Sequence, residues 1–181
     1  MFTKYNDGWI EVITGPMFAG KTAELIKRAS TLIYANKEFL VFKHTNDNRW
    51  EQEKIISRTG AVIESQTISK AEEIIPFINK NTRAIIVDEV QFFDNSIVDV
   101  LKKVASKGIR VIVAGLDMDF MMRPFEPMPN ILATSEFITK LTAVCFVCGR
   151  AAAFSKRING SKTKTIEIGD TSYEARCRKC Y

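Results

Sequence analysis

Residues Gly15–Thr22 read G-P-M-F-A-G-K-T and fill every fixed position of the phosphate-binding loop pattern G-x-x-x-x-G-K-[ST]. The preceding W-I-E-V-I-T, Trp9–Thr14, is strand-like, and Ala23–Ser30 after the loop reads as a helix. Strand, glycine loop and helix are the context the motif needs. With glycine near 7% of residues, chance alone gives such a match in roughly one chain of this length in a hundred. The bland alternative is a Gly-rich turn with an incidental lysine. In a true loop, glycines let the backbone wrap so that successive N–H groups point at phosphate oxygens. The N-terminus of the next helix adds positive potential. Lys21 reaches the β- and γ-phosphates, and Thr22 offers a hydroxyl to Mg²⁺. Pro16, Met17 and Phe18 are unusual in a loop that only cradles phosphate. They either pack internally or face an apolar second substrate, and the loop alone leaves both open.

Outward from the loop, apolar runs of strand length recur at Trp9–Thr14, Phe39–Lys43, Arg83–Asp88, Arg110–Ala114 and Phe137–Leu141. Ala84–Val87 and Val111–Ala114 are continuous rather than alternating, as parallel strands buried on both faces are. Helical stripes lie between them. Ala71, Ile74, Ile75 and Ile78 share one face, with Ser69 as a cap and Pro76 limiting the length. Ile97, Val100, Leu101 and Val104 form another, stopped by Gly108. Alternating strands and helices predict an α/β fold of the P-loop NTPase type, a doubly wound and mainly parallel sheet. Ligands of such sheets sit at the carboxyl ends of the strands, where Gly15–Thr22 falls. Asn46–Gly60 is polar and without period, and reads as a mobile loop beside the site.

The composition sets bounds. With 181 residues, 46% apolar and 26% charged, the chain has room for one domain with a core plus a small appendage. No apolar run approaches ~20 residues, so no membrane span or membrane partner is expected. Asn6, Asp7 and Gly8 precede any long apolar stretch, which lacks the signal-peptide pattern and points to the cytoplasm. The net charge of +5 suits anionic ligands. The surplus is spread out, with only Lys102-Lys103 and Arg176, Arg178 and Lys179 near clustering, so no nucleic-acid partner is expected.

All four cysteines fall in two C-x-x-C pairs, Cys145/Cys148 and Cys177/Cys180. Four thiolates at this spacing make a closed, tetrahedral and therefore structural Zn²⁺ site. A cytosolic compartment disfavours disulfides. The 28 residues between the pairs exceed the usual interval, so a hairpin or ordered loop is expected there. The chain thus divides into an α/β nucleotide-binding domain, 1–144, and a small zinc-binding domain, 145–181. The lone histidine, His44, reads as incidental.

Ile85–Glu89 ends a buried strand in two acids, the expected metal-side partner of a phosphate loop. Adjacent strand residues point to opposite faces. Asp88 and Glu89 are therefore expected to divide the work, one serving Mg²⁺ and the other taking a proton from an attacking hydroxyl or water. Val90-Gln91-Phe92-Phe93 follows; its aromatics either frame a flat ring or join the core. After the next strand, Leu116, Phe120 and Phe125 are candidate pocket walls, with loop-anchoring hydrophobes as the alternative.

The blocks G-P-M-F-A-G-K-T, D-E-V-Q-F-F, L-T-A-V-C-F-V-C-G and Y-E-A-R-C-R-K-C, in this order, resemble the type-II, cytosolic, zinc-bearing thymidine kinases, from Trp9 to Tyr181. The resemblance implies transfer of the ATP γ-phosphate to the 5′-hydroxyl of thymidine, with deoxyuridine as a further acceptor, in deoxynucleotide salvage. It implies Glu89 as proton acceptor, with Lys21 and Arg49 completing the catalytic set. Gly15, Pro16, Met17, Phe18, Ala19, Gly20, Lys21 and Thr22 would hold ATP with Mg²⁺, beside Asp88, Glu89, Val90 and Gln91. Asp47-Asn48-Arg49 matches the D-x-R of the family's phosphate-approaching loop. Met17, Phe92, Leu116, Phe120 and Phe125 match residues around thymidine. A lasso between the zinc pairs, here Lys164, Thr165, Ile166, Glu167 and Ile168 with Tyr173, would fold over the thymine. Feedback by dTTP and a homotetramer are further implications. The chain departs from the family in a shorter run from Ile168 to Tyr173, with Asp170 where a second glycine is common. The rival class is a zinc-ribbon, nucleic-acid-dependent ATPase, which would place water beside Glu89; its cue, a basic stripe interleaved with aromatics, is weak here.

Overall fold

Strand alternation sorts the central side chains into two cores. The computed structural model describes residues 8–46, 54–56, 62–159 and 172–181. Strand β1 is Ile10–Thr14, helix α1 Lys21–Tyr34, and β2 Phe39–His44. The short strands β3, Lys54–Ile56, and β4, Val62–Glu64, form an antiparallel pair. Then come β5, Gln66–Ile68, β6, Ala84–Asp88, helix α2, Ser96–Ala105, and β7, Arg110–Gly115. Helix α3, Met128–Thr134, leads to β8, Phe137–Lys140. Six strands form one wholly parallel sheet in the order β5-β2-β6-β7-β1-β8.

Ile85 and Val87 of β6 and Val111 and Val113 of β7 face α2 and α3; Ala84, Ile86, Ile112 and Ala114 face Leu25, Ile26, Ala29 and Leu32 of α1. A sheet buried on both faces by helices is the doubly wound arrangement expected from the uninterrupted apolar runs. Burying one such aliphatic side chain is worth about 1.5–3 kcal/mol. Among the described residues, no helix is long and apolar enough to cross a membrane.

Two local expectations are refined by the structure. The stripe at Ala71–Ile78 forms a 3₁₀ helix, Ala71–Phe77, rather than an α-helix. Pro76 has no N–H to continue an α-helical ladder. Ser69 does not cap it with its own oxygen. Instead the Glu73 carboxylate accepts from the Lys70 and Ser69 backbone N–H groups and the Ser69 hydroxyl, at 2.7, 3.1 and 2.9 Å. The span Asn46–Gly60 is not all loop, because β3 lies within it. Three-residue strands are too short to show a period.

The C-terminal part adds two antiparallel pairs. Strand β9, Ala143–Val144, pairs with β10, Ala151–Ala152; β11, Phe154–Arg157, pairs with β12, Tyr173–Arg176. The β11–β12 pair is the hairpin stem expected between the cysteine pairs.

One charged network ties α1 to the sheet. Glu11 is buried on β1, and its carboxylate accepts from Arg28 at 2.7 Å, Arg110 at 2.5 and 3.0 Å, and Trp9 at 2.5 Å. Burial alone would raise its pKa. Hydrogen bonds from Arg110 and Trp9 and the charges of Arg110 and Arg28 outweigh burial and hold it below the ordinary 4.5. A carboxylate depressed in the fold contributes stability that is present above its unfolded pKa and lost as pH falls through the folded one. Thermal unfolding scans should therefore show the midpoint falling as pH drops below 4.5. Glu11→Gln should flatten part of that fall while being less stable at neutral pH; an unaltered pH profile would rule out this source.

Candidate active site

The phosphate loop leaves β1 through a residue that has to be glycine. Gly15 has φ 140°, and a Cβ there would lie 2.3 Å from the Leu141 carbonyl oxygen. The Leu141 N–H in turn donates to the Thr14 carbonyl at 2.7 Å. Pro16 is buried, so it packs. Its carbonyl accepts from the Lys21 ammonium at 2.9 Å. Lys21 is thereby held within its own loop at 9% exposure. Met17 is half-buried and Phe18 exposed. Phe18 is left-handed at φ 67°, a conformation that costs a non-glycine residue about 1–3 kcal/mol and concentrates at functional sites. Ala19 packs against the cysteine-bearing ribbon, and Gly20 precedes α1. The Met17 N–H donates to the Ser155 hydroxyl of β11 at 2.9 Å. Ser155 is buried, and carries the ribbon onto the loop.

Asp88 closes β6 on the α1 face. Its Oδ2 accepts from the Thr22 hydroxyl at 3.2 Å, and its Oδ1 from the Glu89 N–H at 2.9 Å. Strand alternation does not govern the two acids. Glu89 is not on the strand: at φ 50°, ψ 43° it is left-handed and starts a 3₁₀ turn, Val90–Phe92. The strand ends between the two acids. Both are buried, at 4% and 6% exposure. The Gln91 amide donates to Glu89 Oε2 at 2.5 Å and accepts from the Leu116 N–H at 3.1 Å. Val90 is wholly buried in the core, so that position offers the site its backbone alone.

The aromatic segment lies at the same sheet edge. Leu116 directly follows β7, and Leu116, Phe120 and Phe125 are each half-buried. The Arg157 guanidinium stacks 3.8 Å from the centre of the Phe120 ring and donates to the Tyr173 hydroxyl at 2.5 and 3.1 Å. The Phe120 carbonyl accepts from the Tyr181 hydroxyl. Arg157 and Tyr181 thus join the ribbon to Phe120. Phe92 is half-buried near His44, whereas Phe93 is core and meets the His44 ring edge-on at 4.7 Å. His44 has its pKa lowered by burial. Asp47, Asn48 and Arg49, and Lys164, Thr165, Ile166, Glu167 and Ile168, lie outside the described residues. Sequence reading missed Ser155, Arg157 and Tyr181. None belongs to a motif, and each partner is more than a dozen residues away.

The four cysteines converge. Their sulfurs all lie within 4.8 Å of one another, and those of Cys148 and Cys177 are 3.6 Å apart. Tetrahedral zinc with Zn–S bonds near 2.3 Å holds its sulfurs about 3.8 Å apart, so the donor set fits that ion. Burial tends to raise the Cys145 pKa, but backbone N–H groups of Cys177, Cys148 and Val147 overcome it and bring the thiol to about 6. Cys180 is pushed up to about 12, chiefly by hydrogen bonding with Cys148 and Cys177 and by burial. A metal that ionises all four thiols therefore releases protons as it binds.

A phosphate-loop motif at the carboxyl edge of a doubly wound sheet, with buried Asp88 against Thr22, defines an α/β protein of the P-loop type, and the cysteine quartet gives it a metal-ready ribbon. The thymidine kinase family model matches residues 8–181, and the chain belongs to that family. A thymidine kinase of Mycoplasma mobile is 48% identical over 182 residues, spanning 100% of this chain and 90% of the relative. Among solved structures, domain III of the Thermotoga maritima replication initiation protein DnaA has a TM-score of 0.45 at 12% identity, covering 77% of this chain and 57% of that one. At that score it bears on neither fold nor function.

Proposed function

We propose that the enzyme transfers the γ-phosphate of ATP to the 5′-hydroxyl of thymidine, with deoxyuridine as a second acceptor. The observation that carries this reading is the buried Glu89 at the sheet edge shared by Thr22, Asp88 and Leu116, in a chain of the thymidine kinase family. The loop N–H groups of Gly15–Thr22 and the Lys21 ammonium hold the triphosphate and neutralise its charge. Lys21 exchanges its contact with the Pro16 carbonyl for phosphate oxygens. Glu89 accepts the 5′-hydroxyl proton as the hydroxyl oxygen bonds to the γ-phosphorus, and the bond from that phosphorus to the β,γ-bridging oxygen breaks to release ADP. Arg49, with Asp47 and Asn48, stabilises charge on the transferring group. Mg²⁺ bound with ATP supplies charge neutralisation, and the Thr22 hydroxyl and Asp88 Oδ2, 3.2 Å apart, are the hard oxygen donors that suit it. Met17, Phe92, Leu116, Phe120, Phe125 and Tyr173 enclose the nucleoside, and Lys164, Thr165, Ile166, Glu167 and Ile168, outside the described residues, recognise the base. Cys145, Cys148, Cys177 and Cys180 hold structural zinc.

The division into 1–144 and 145–181, a cytoplasmic location, a homotetramer and feedback by dTTP belong to the same reading. Family membership sets aside the nucleic-acid-dependent ATPase. A panel of nucleosides with ATP and Mg²⁺, assayed for monophosphate, tests the proposal. Thymidine and deoxyuridine should be phosphorylated and deoxycytidine and purine nucleosides left unchanged; an inert thymidine would overturn it.

A further inference from the structure

We propose that Gln91 is a positioning residue for Glu89, tying the proton acceptor to the backbone of Leu116. The inference rests on the kinase reading above and assigns a residue that acts through another. Gln91 is 2% exposed. The Leu116 N–H can only donate, so the Gln91 oxygen must face it at 3.1 Å and the NH₂ must face Glu89 Oε2 at 2.5 Å. The orientation of the amide is thus set by its partners. A hydrogen bond to an ionised carboxylate is about twice as strong as one between neutral groups.

The backbone is arranged for this contact. The left-handed Glu89 starts the 3₁₀ turn, closed by Phe92 N–H to Glu89 carbonyl at 3.0 Å, which brings position 91 back beside position 89. Opposite, a Cβ on Gly115 would meet Gln91 Oε1 at 2.8 Å, Val90 Cγ1 at 2.9 Å and Met128 Sδ at 3.1 Å. The amide therefore occupies room that only glycine leaves at the end of β7. With both ends of its amide engaged inside the protein, Gln91 is better placed to hold Glu89 than to bind the triphosphate. It links the ends of β6 and β7, so the base and the nucleoside wall at Leu116 keep one geometry. A misplacement of about 1 Å at a reacting group costs on the order of 10²-fold in rate.

Gln91→Glu separates positioning from packing. It is isosteric and still accepts from the Leu116 N–H, but it replaces the donor toward Glu89 with a like charge. Turnover of thymidine should fall about 10- to 100-fold, while dissociation constants for ATP and thymidine, read by calorimetry, stay within about threefold. Gln91→Met, which keeps length and apolar volume, should show the same split and serves if Gln91→Glu does not fold. Turnover within about twofold of wild type in a folded variant would overturn the inference. So would a matching loss of ATP affinity, which would make Gln91 a nucleotide ligand. Wild-type turnover of thymidine is measured alongside: its absence refutes the kinase reading, whereas its presence with an unaffected variant refutes the role of Gln91 alone.

Discussion

Glu89→Gln lowers thymidine turnover by about 10²–10⁴-fold, the usual contribution of a positioned base, and leaves ATP affinity close to wild type. The substitution keeps the size of the side chain and one oxygen that accepts from Gln91 Nε2, but removes its ability to take a proton. Glu89 is buried and held by Gln91 Nε2, so the variant retains a well-defined position rather than creating a cavity. Asp88 cannot substitute for it. Asp88 is engaged by the Thr22 hydroxyl on the α1 face, while the left-handed backbone at Glu89 turns the second acid away from the strand. Steady-state kinetics with calorimetric ATP binding read both quantities. Near-normal turnover would remove Glu89 as the base.

Cys148→Ser, or stripping of the metal by a chelator, should have the largest effect on folding. Structural zinc contributes about 10 kcal/mol or more of apparent folding energy in small domains. Among the described residues the buried cluster around the cysteines is small: Ala143, Cys145, Ala152 and Ala175, with Ala19, Cys177 and Cys180 packed against it. Loss should also reach the catalytic end. Ala19 belongs to the phosphate loop, and Ser155 on β11 accepts from the Met17 N–H. Arg157 stacks on Phe120 and is held by the Tyr173 hydroxyl. The variant should lose bound metal, measured by elemental analysis, and show a raised KM for thymidine and for ATP or outright unfolding. Unchanged kinetics with no bound metal would reject the structural role.

The features readable in the sequence are those carried by local chemistry. The Gly15–Thr22 pattern, the two C-x-x-C pairs and the uninterrupted apolar runs at β6 and β7 each depend on neighbouring residues, so each announced its element. The stripe at Ala71–Ile78 announces a helix but not its 3₁₀ type, because an apolar stripe with a proline suits either. Strand alternation does not extend to Asp88 and Glu89 as a pair, because β6 ends at Asp88. Alternation holds only while the strand continues, and no residue type marks the left-handed turn at Glu89. Ser155, Arg157 and Tyr181 were invisible for another reason. Met17 and Phe120 meet them only after the ribbon docks on the sheet edge, and Tyr173 meets Arg157 through the pairing of β11 with β12; no spacing in the chain records either event. The same holds for Gly115, whose lack of a side chain matters because of an amide 24 residues earlier.

The central claim is that a nucleoside, and not water, stands between Glu89 and the phosphate loop. Product analysis with ATP and Mg²⁺, with and without thymidine and with and without single-stranded DNA, tests it most directly. The account predicts ADP and thymidine monophosphate in equal amounts, formed only when thymidine is present and indifferent to DNA. ADP released without nucleotide product, and stimulated by DNA, would contradict it.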